Sequence, residues 1–183
     1  MKLQHAMVKT PIGPLGLWAN DEALVGLEFS DKAARMSGLD AALERDWGAF
    51  TTQTARDPAG AATRLERYFA GELAALDEQP VEYRGTEFQQ AIWDELRRIA
   101  PGQTLGYAEL ARKIGRPRAV RAAGAANGAN RIAIFVPCHR VIAADGSLWG
   151  YGGGLERKRF LLEHEHARFG DAAAQRELAF ARA

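Results

Sequence analysis

The chain has 183 residues, 47% of them hydrophobic and 26% charged, a formal net charge of +1 and a single cysteine. This is the composition of an ordinary globular chain with room for one medium domain or two small ones, and it excludes wholesale disorder. It also excludes an intramolecular disulfide, a bilayer span of roughly 20 apolar residues and, from Met1-Lys2-Leu3-Gln4-His5, a signal peptide. A lone free thiol fits a reducing cytoplasm, the expected location.

In chain order, Leu3 to Val8, Leu15 to Ala19 and Leu24 to Phe29 read as three short strands, separated by Pro11, Gly13, Pro14 and the Asn20-Asp21 pair. Leu39 to Trp47 reads as a short helix. Ala59 to Leu73 reads as a longer one, with Leu65, Tyr68, Phe69 and Leu73 on one stripe. The polar stretch Ala74 to Arg84 marks a boundary, so a first domain is expected over 1–80 and a second over 84–167, followed by a weakly helical tail over 168–183.

The second unit is mainly helical. Thr86 is placed to cap a helix whose apolar face is Phe88, Ile92, Trp93, Leu96 and Ile99, ending before Pro101-Gly102. Tyr107 to Ile114 and Arg118 to about Asn127 flank the break Gly115-Arg116-Pro117, the outline of a helix-turn-helix. Ile132 to Val136 is a continuous apolar run, read as a buried strand. Gly150-Tyr151-Gly152-Gly153-Gly154 is a loop, and Leu155 to about His166 returns to helix. The class is α/β (α+β).

Charge is unevenly distributed. Met1 to Leu96 carries nine Lys/Arg and sixteen Asp/Glu, whereas Arg97 to Arg140 carries nine Lys/Arg and only Glu109 as an acid. A local basic segment suits a polyanion; on charge alone, a solvated basic surface and nucleic-acid binding stand equally open.

The chemistry concentrates at Pro137-Cys138-His139-Arg140-Val141. A thiolate is the nucleophile of a cysteine, and an adjacent imidazole can take its proton. Neighbouring side chains on a regular strand face opposite ways, so Pro137 is expected to end the ladder pairing and let Cys138 and His139 converge, directly or through one water. Taken alone, a Cys-His pair is more often packing than catalysis.

A longer series changes that balance. Phe88-Gln89, Ile92-Trp93, Leu96, Pro101-Gly102-Gln103-Thr104, Tyr107 and Leu110-Ala111 are followed by Ile114-Gly115-Arg116-Pro117 and Ala119-Val120-Arg121-Ala122. Then come Asn130, the pentapeptide around Cys138, Gly150-Tyr151, Gly153-Gly154, Lys158, Leu161-Leu162 and His164-Glu165. From Phe88 to Glu165 the chain resembles the O6-alkylguanine-DNA alkyltransferases (methylated-DNA–protein-cysteine methyltransferases); the first half resembles their N-terminal domain more loosely.

The resemblance implies a small sheet-containing, ribonuclease-H-like first domain and a helix-turn-helix, winged-helix-like second one. It implies suicidal, stoichiometric DNA repair by a methylated-DNA–[protein]-cysteine S-methyltransferase: irreversible transfer of the alkyl group of O6-alkylguanine in duplex DNA to Cys138, with the base flipped out of the helix. O4-alkylthymine is left open as a second substrate. His139 matches the base that deprotonates Cys138 through a water, Glu165 the carboxylate that orients it, and Asn130 a residue holding the turn before the cysteine. Tyr107 matches a proton donor to the leaving guanine that also presses on a phosphate, and Arg121 the arginine filling the gap in the stack.

Arg118, Ala122 and Gly124 join Arg121 and Tyr107 as expected DNA contacts. The small residues Ala122 to Ala126 and Gly128 would let a helix approach the minor groove, or pack tightly on another helix. Tyr151, Gly152, Trp149 and Val141 are the expected substrate pocket. No cofactor is expected, and no metal, because His5 is the only histidine or cysteine ahead of Pro137 and relatives that bind zinc need several. The expected partner is double-stranded DNA, with the protein a monomer and cooperativity on DNA left open.

Some features depart from the pattern or carry a plainer reading. Arg131 stands where many members have proline, which suggests a wider pocket mouth or an added phosphate contact. Gly152 stands where several have serine. Trp93 reads as core, His164 and His166 as helix surface, and Arg157, Lys158 and Arg159 as a solvated helix face. A non-enzymatic lesion-binding relative would lack the cysteine, so Cys138 speaks against that alternative; a cysteine hydrolase has no oxyanion-hole signature to support it.

Overall fold

The structure, a computed structural model, describes residues 1–170; positions 171–183 of the expected tail lie outside the described residues. The chain divides into two compact units, one of Met1–Gln90 with Asn130–Val136, the other of Ala91–Ala129 with the chain from Pro137 onward.

In the first unit, β1 (Lys2–Val8), β2 (Leu15–Ala19) and β3 (Leu24–Phe29) form an antiparallel meander. The turns are chemically specified: Gly13 adopts φ 100°, and the Asn20 side chain accepts the N–H groups of Glu22 and Ala23 at 2.9 and 2.7 Å. A fourth strand missed in the sequence, β4 (Thr51–Thr54), pairs parallel to β1 and completes the order β3-β2-β1-β4. It is fully exposed and polar, Thr-Thr-Gln-Thr, so it carries no apolar alternation to read.

Helix α1 (Ala33–Trp47) covers the sheet, burying Leu39 and Leu43 against Leu3, Trp18 and Val25. Gly26 permits the close approach, since a Cβ there would lie 3.2 Å from Leu39 and 3.3 Å from Leu43. The helix begins six residues ahead of the expected Leu39, because its first turns are mostly exposed and show no apolar stripe. The single helix expected over Ala59 to Leu73 is shorter: α2 spans Ala61–Phe69, and the chain breaks at Gly71 (φ 103°) before a 3-10 turn over Leu73–Leu76.

The segment 130–136 is not the expected strand. It makes isolated bridges only, Leu27 with Ile132 and Ala133 with Val136, and Ile134 sits at φ 76°. A β-branched residue there costs on the order of 1–3 kcal/mol and must be held by its surroundings. The apolar run was real, with Ile132, Ile134, Phe135 and Val136 all buried, but periodicity does not distinguish a buried strand from a buried knot of chain.

The second unit is built from α3 (Glu87–Arg97) from Ala91 onward, α4 (Tyr107–Lys113), α5 (Val120–Gly128) and α6 (Leu155–His164). Thr86 caps α3 reciprocally: its Oγ1 accepts the Gln89 N–H at 3.2 Å and Gln89 Oε1 accepts the Thr86 N–H at 2.9 Å. Trp93 is 2% exposed and donates Nε1 to the Ala126 carbonyl at 2.9 Å, fixing α3 on α5. The turn between α4 and α5 uses Gly115 at φ 72°. Two residue pairs, β5 (Leu105–Gly106) and β6 (Val141–Ile142), run parallel.

Candidate active site

Pro137 leaves the extended region (φ −81°, ψ 64°), and Cys138–Arg140 form a single 3-10 turn. Successive side chains on a turn of three residues point about 120° apart, so burying all three takes protein on every side of the turn. All three are buried: Cys138 is 7%, His139 0% and Arg140 1% exposed. The strand that Pro137 was expected to end is absent, and the chain enters a helical turn directly after the proline.

Glu165, just past the end of α6, closes the arrangement. Its Oε1 lies 2.9 Å from His139 Nε2. Arg140 straddles the same carboxylate, Nε to Oε2 and Nη2 to Oε1, both at 2.9 Å, while its Nη1 donates to the Ile99 carbonyl. Burial pushes Glu165 toward neutrality, but His139 and the fixed positive charge of Arg140 outweigh it and hold the carboxyl well below its usual range. Burial lowers the His139 pKa, against the upward pull of Glu165. The imidazole is therefore neutral, with its proton on Nε2 facing the carboxylate. Among the described residues Nδ1 has no hydrogen-bond partner, which leaves a lone pair able to accept a proton.

Two cationic residues of this site were missed in the sequence. In the sequence Arg140 stands out only as the single formal charge inside the run Ile132 to Ile142. Lys158 was assigned to a solvated face; it is 0% exposed. Its Nζ donates to the carbonyls of Val141 at 2.7 Å and Trp149 at 2.9 Å. Burial pushes its pKa down to about 8, against an upward pull from Cys138. Lys158, Leu161, Leu162 and Glu165 recur at helical spacing, so the apolar stripe of α6 already passed through this lysine. Arg159 is exposed, as read, and so is His166, which lies beyond the helix at φ 57°.

Tyr107 opens α4. Burial, then the charge of Cys138, raises its pKa, so the phenol keeps its proton at neutral pH. Gly124 of α5 lies beside its ring, where a Cβ would stand 3.7 Å away. The outer face of α5 is Arg121, Ala122, Ala125 and Gly128, all exposed, with Ala123, Ala126 and Asn127 turned inward. Arg112, Lys113, Arg116 and Arg118 are exposed around the preceding turn. Asn127 Nδ2 donates to the Cys138 carbonyl at 3.4 Å.

Of the expected pocket residues, Val141 is fully buried and contributes a carbonyl, Tyr151 is half-buried and Gly152 exposed. The Trp149 ring is 65% exposed and donates Nε1 to Ser147 Oγ at 2.7 Å. Asn130 belongs to the first unit, where its Nδ2 donates to the Val136 carbonyl at 2.7 Å and its Oδ1 accepts the Ile132 N–H at 2.9 Å. Arg131 forms an ion pair with Asp46, so its guanidinium is engaged inside the protein and not displayed for a phosphate. Among the described residues no cluster of three or more potential metal ligands occurs.

The pH dependence follows from the imidazole. A base must be neutral, and the folded pKa of His139 lies below the ordinary 6.5. The acid limb of any reaction using it should therefore have its midpoint below pH 6.5, read as the single-turnover rate constant against pH; a midpoint above 7 would remove His139 as the base. Stability shares the sign: the unfolded chain takes up this proton first, so the contribution of His139 is present above 6.5 and lost as pH falls through the depressed folded value.

Comparison with known proteins matches residues 87–167 to the 6-O-methylguanine DNA methyltransferase DNA-binding domain and residues 3–83 to the ribonuclease-like domain of the same methyltransferase. The methylated-DNA–protein-cysteine methyltransferase of Shigella flexneri is 42% identical over 166 residues, covering 90% of this chain and 96% of that protein. Its counterpart from Mycobacterium bovis is 45% identical, covering 91% and 94%. The crystal structure of the Mycobacterium tuberculosis protein in complex with DNA superposes with a TM-score of 0.72 at 41% identity, covering 91% of this chain and 93% of that one.

Proposed function

The chain belongs to the 6-O-methylguanine DNA methyltransferase family, and on that premise we propose that it repairs O6-alkylguanine in duplex DNA by moving the alkyl group onto Cys138. The observation that carries the assignment of residues is the buried turn in which Cys138 is followed by a neutral imidazole backed by the Glu165–Arg140 pair.

In this reading His139 Nδ1 takes the thiol proton through a bridging water, and the Lys158 charge stabilises the thiolate. The sulfur attacks the carbon attached to O6. The S–C bond forms as the C–O bond breaks, and the electron pair leaves on the guanine, which recovers a proton from the Tyr107 phenol. The thioether has no hydrolysable bond, so each molecule acts once. The target carbon lies within a stacked duplex, and rotating the nucleotide out costs a few kcal/mol. Arg121, at the exposed start of α5, is suited to fill the vacancy, with Arg118 on phosphate and the small residues Ala122 and Gly124 allowing close approach. Tyr151 and the Gly152 main chain border the extruded base. Residues 84–167 then form the DNA-binding and alkyl-acceptor part of the chain.

Among the described residues no helix is long and apolar enough to cross a membrane. We assign the protein to the cytoplasm, an assignment resting on its single cysteine, which is in no disulfide.

Incubation with a duplex containing O6-methylguanine, followed by intact-mass measurement and peptide mapping, should show one methyl per chain, on Cys138. Modification at another residue, or repeated turnover with an unmodified chain, would overturn the assignment.

A further inference from the structure

The segment 130–136 leads directly into Pro137 and Cys138, and it is closed on itself. The Asn130 side chain bonds both Ile132 and Val136, and the Val136 N–H donates to the Ile132 carbonyl at 2.9 Å. Its two ends therefore move together. Because Ile134 is held at positive φ, the segment keeps this shape only while its neighbours over-determine it.

Two features tie it to the sheet and α1 of the first unit. One is a main-chain bond, Leu27 N–H to the Arg131 carbonyl at 2.8 Å. The other is the Arg131–Asp46 ion pair, with side chains 23% and 13% exposed. Asp46 is a crowded anion: Arg45 Nε stands 3.8 Å from its other oxygen. Arg84, stacked 4.1 Å over the Trp47 ring, donates to its main-chain carbonyl at 3.0 Å. Arg131 is partly buried and feels the charge of Arg45, both of which lower its pKa. Two guanidiniums, those of Arg131 and Arg45, thus face a single carboxylate, and the third, that of Arg84, holds the Asp46 main chain.

We infer that the Arg131–Asp46 pair is a clasp that positions the nucleophile: by pinning the closed segment 130–136 it fixes where Pro137 and Cys138 emerge. Both are positioning residues that act through the segment and not on the reacting atoms. Small losses of alignment are costly, since a misplacement of about 1 Å removes on the order of a hundredfold in rate. The clasp thereby accounts for a charged residue where the main chain alone would otherwise carry the load.

The inference rests on Cys138 as acceptor, and the test keeps the two separable. Single-turnover transfer is measured from methylated duplex and from free O6-benzylguanine, which needs no DNA contact, with duplex affinity and folding checked in parallel. Arg131→Met should slow transfer from both substrates by about three- to tenfold at unchanged duplex affinity. Asp46→Asn should slow it further, because it leaves Arg131 and Arg45 facing each other. Adding Arg131→Met to Asp46→Asn should restore speed to the level of Arg131→Met alone, and Arg131→Lys should retain most of the wild-type rate.

Altered melting with unchanged rates would reduce the pair to a structural role and overturn the clasp. Independent, multiplying effects of the two substitutions would do the same. Absence of wild-type transfer from either substrate would overturn the acceptor assignment instead.

Discussion

Cys138→Ala should take up no methyl from lesion-containing duplex at any protein excess, while binding that duplex within about threefold of wild type. The reasoning is local. Cys138 is a small side chain at the start of a turn, and its replacement by alanine removes one sulfur atom without touching the bonds from Asn127, His139 or Arg140. Phosphate contacts, which dominate affinity for DNA, come in this reading from Arg118, Arg121 and their neighbours. Cys138→Ser should fare little better, on the order of 10³-fold slower or worse, because a hydroxyl is far harder to ionise than a thiol beside the same imidazole. Gel-shift titration and intact mass on one preparation decide the matter. Methyl uptake by the alanine variant would displace Cys138, and loss of binding would give the thiol a structural part in the DNA interface.

The second large effect is expected from Arg140→Met, which keeps the packing and deletes the charge. Glu165 is 2% exposed, and without Arg140 its carboxylate would lose the fixed positive charge that grips both of its oxygens. Breaking a buried pair by removing one partner costs about 3–5 kcal/mol, on the order of 10 °C in the melting temperature of a chain this size. Transfer should also fail, because a carboxyl no longer held ionised cannot fix the proton of the imidazole on Nε2. Adding Glu165→Leu should recover a large part of the stability and none of the activity, since it removes the orphaned charge and the orienting group together. Thermal unfolding with single-turnover kinetics separates the two. A loss below 1 kcal/mol for Arg140→Met would mean that Glu165 finds another cation.

The sequence was most legible where side-chain chemistry is local. The meander strands, the Thr86 cap and the glycine turn between α4 and α5 all follow from residues within a few positions of one another. Glu165 was reachable only through resemblance, because no spacing rule joins it to a histidine 26 positions earlier. β4 was invisible for a different reason: an exposed polar edge has no pattern, and its pairing with β1 is imposed by the fold. Lys158 and Arg140 were passed over because charge reads as surface. In each case the exception was marked by its position on an apolar stripe or within an apolar run. Segment 130–136 shows the limit of hydrophobic runs, which report burial without reporting φ.

The 7% exposure of Cys138 bears on how long an idle molecule keeps its capacity to act. A reagent used once must survive between synthesis and encounter in a cell that also holds peroxides, disulfides and small electrophiles. Those species react with thiolates that stand in solvent. Here the sulfur is recessed and its basic partner is walled in, so an electrophile must be held in a bound pose before it can meet the sulfur. Shelf life and selectivity then have one origin, the depth at which the turn places a single atom.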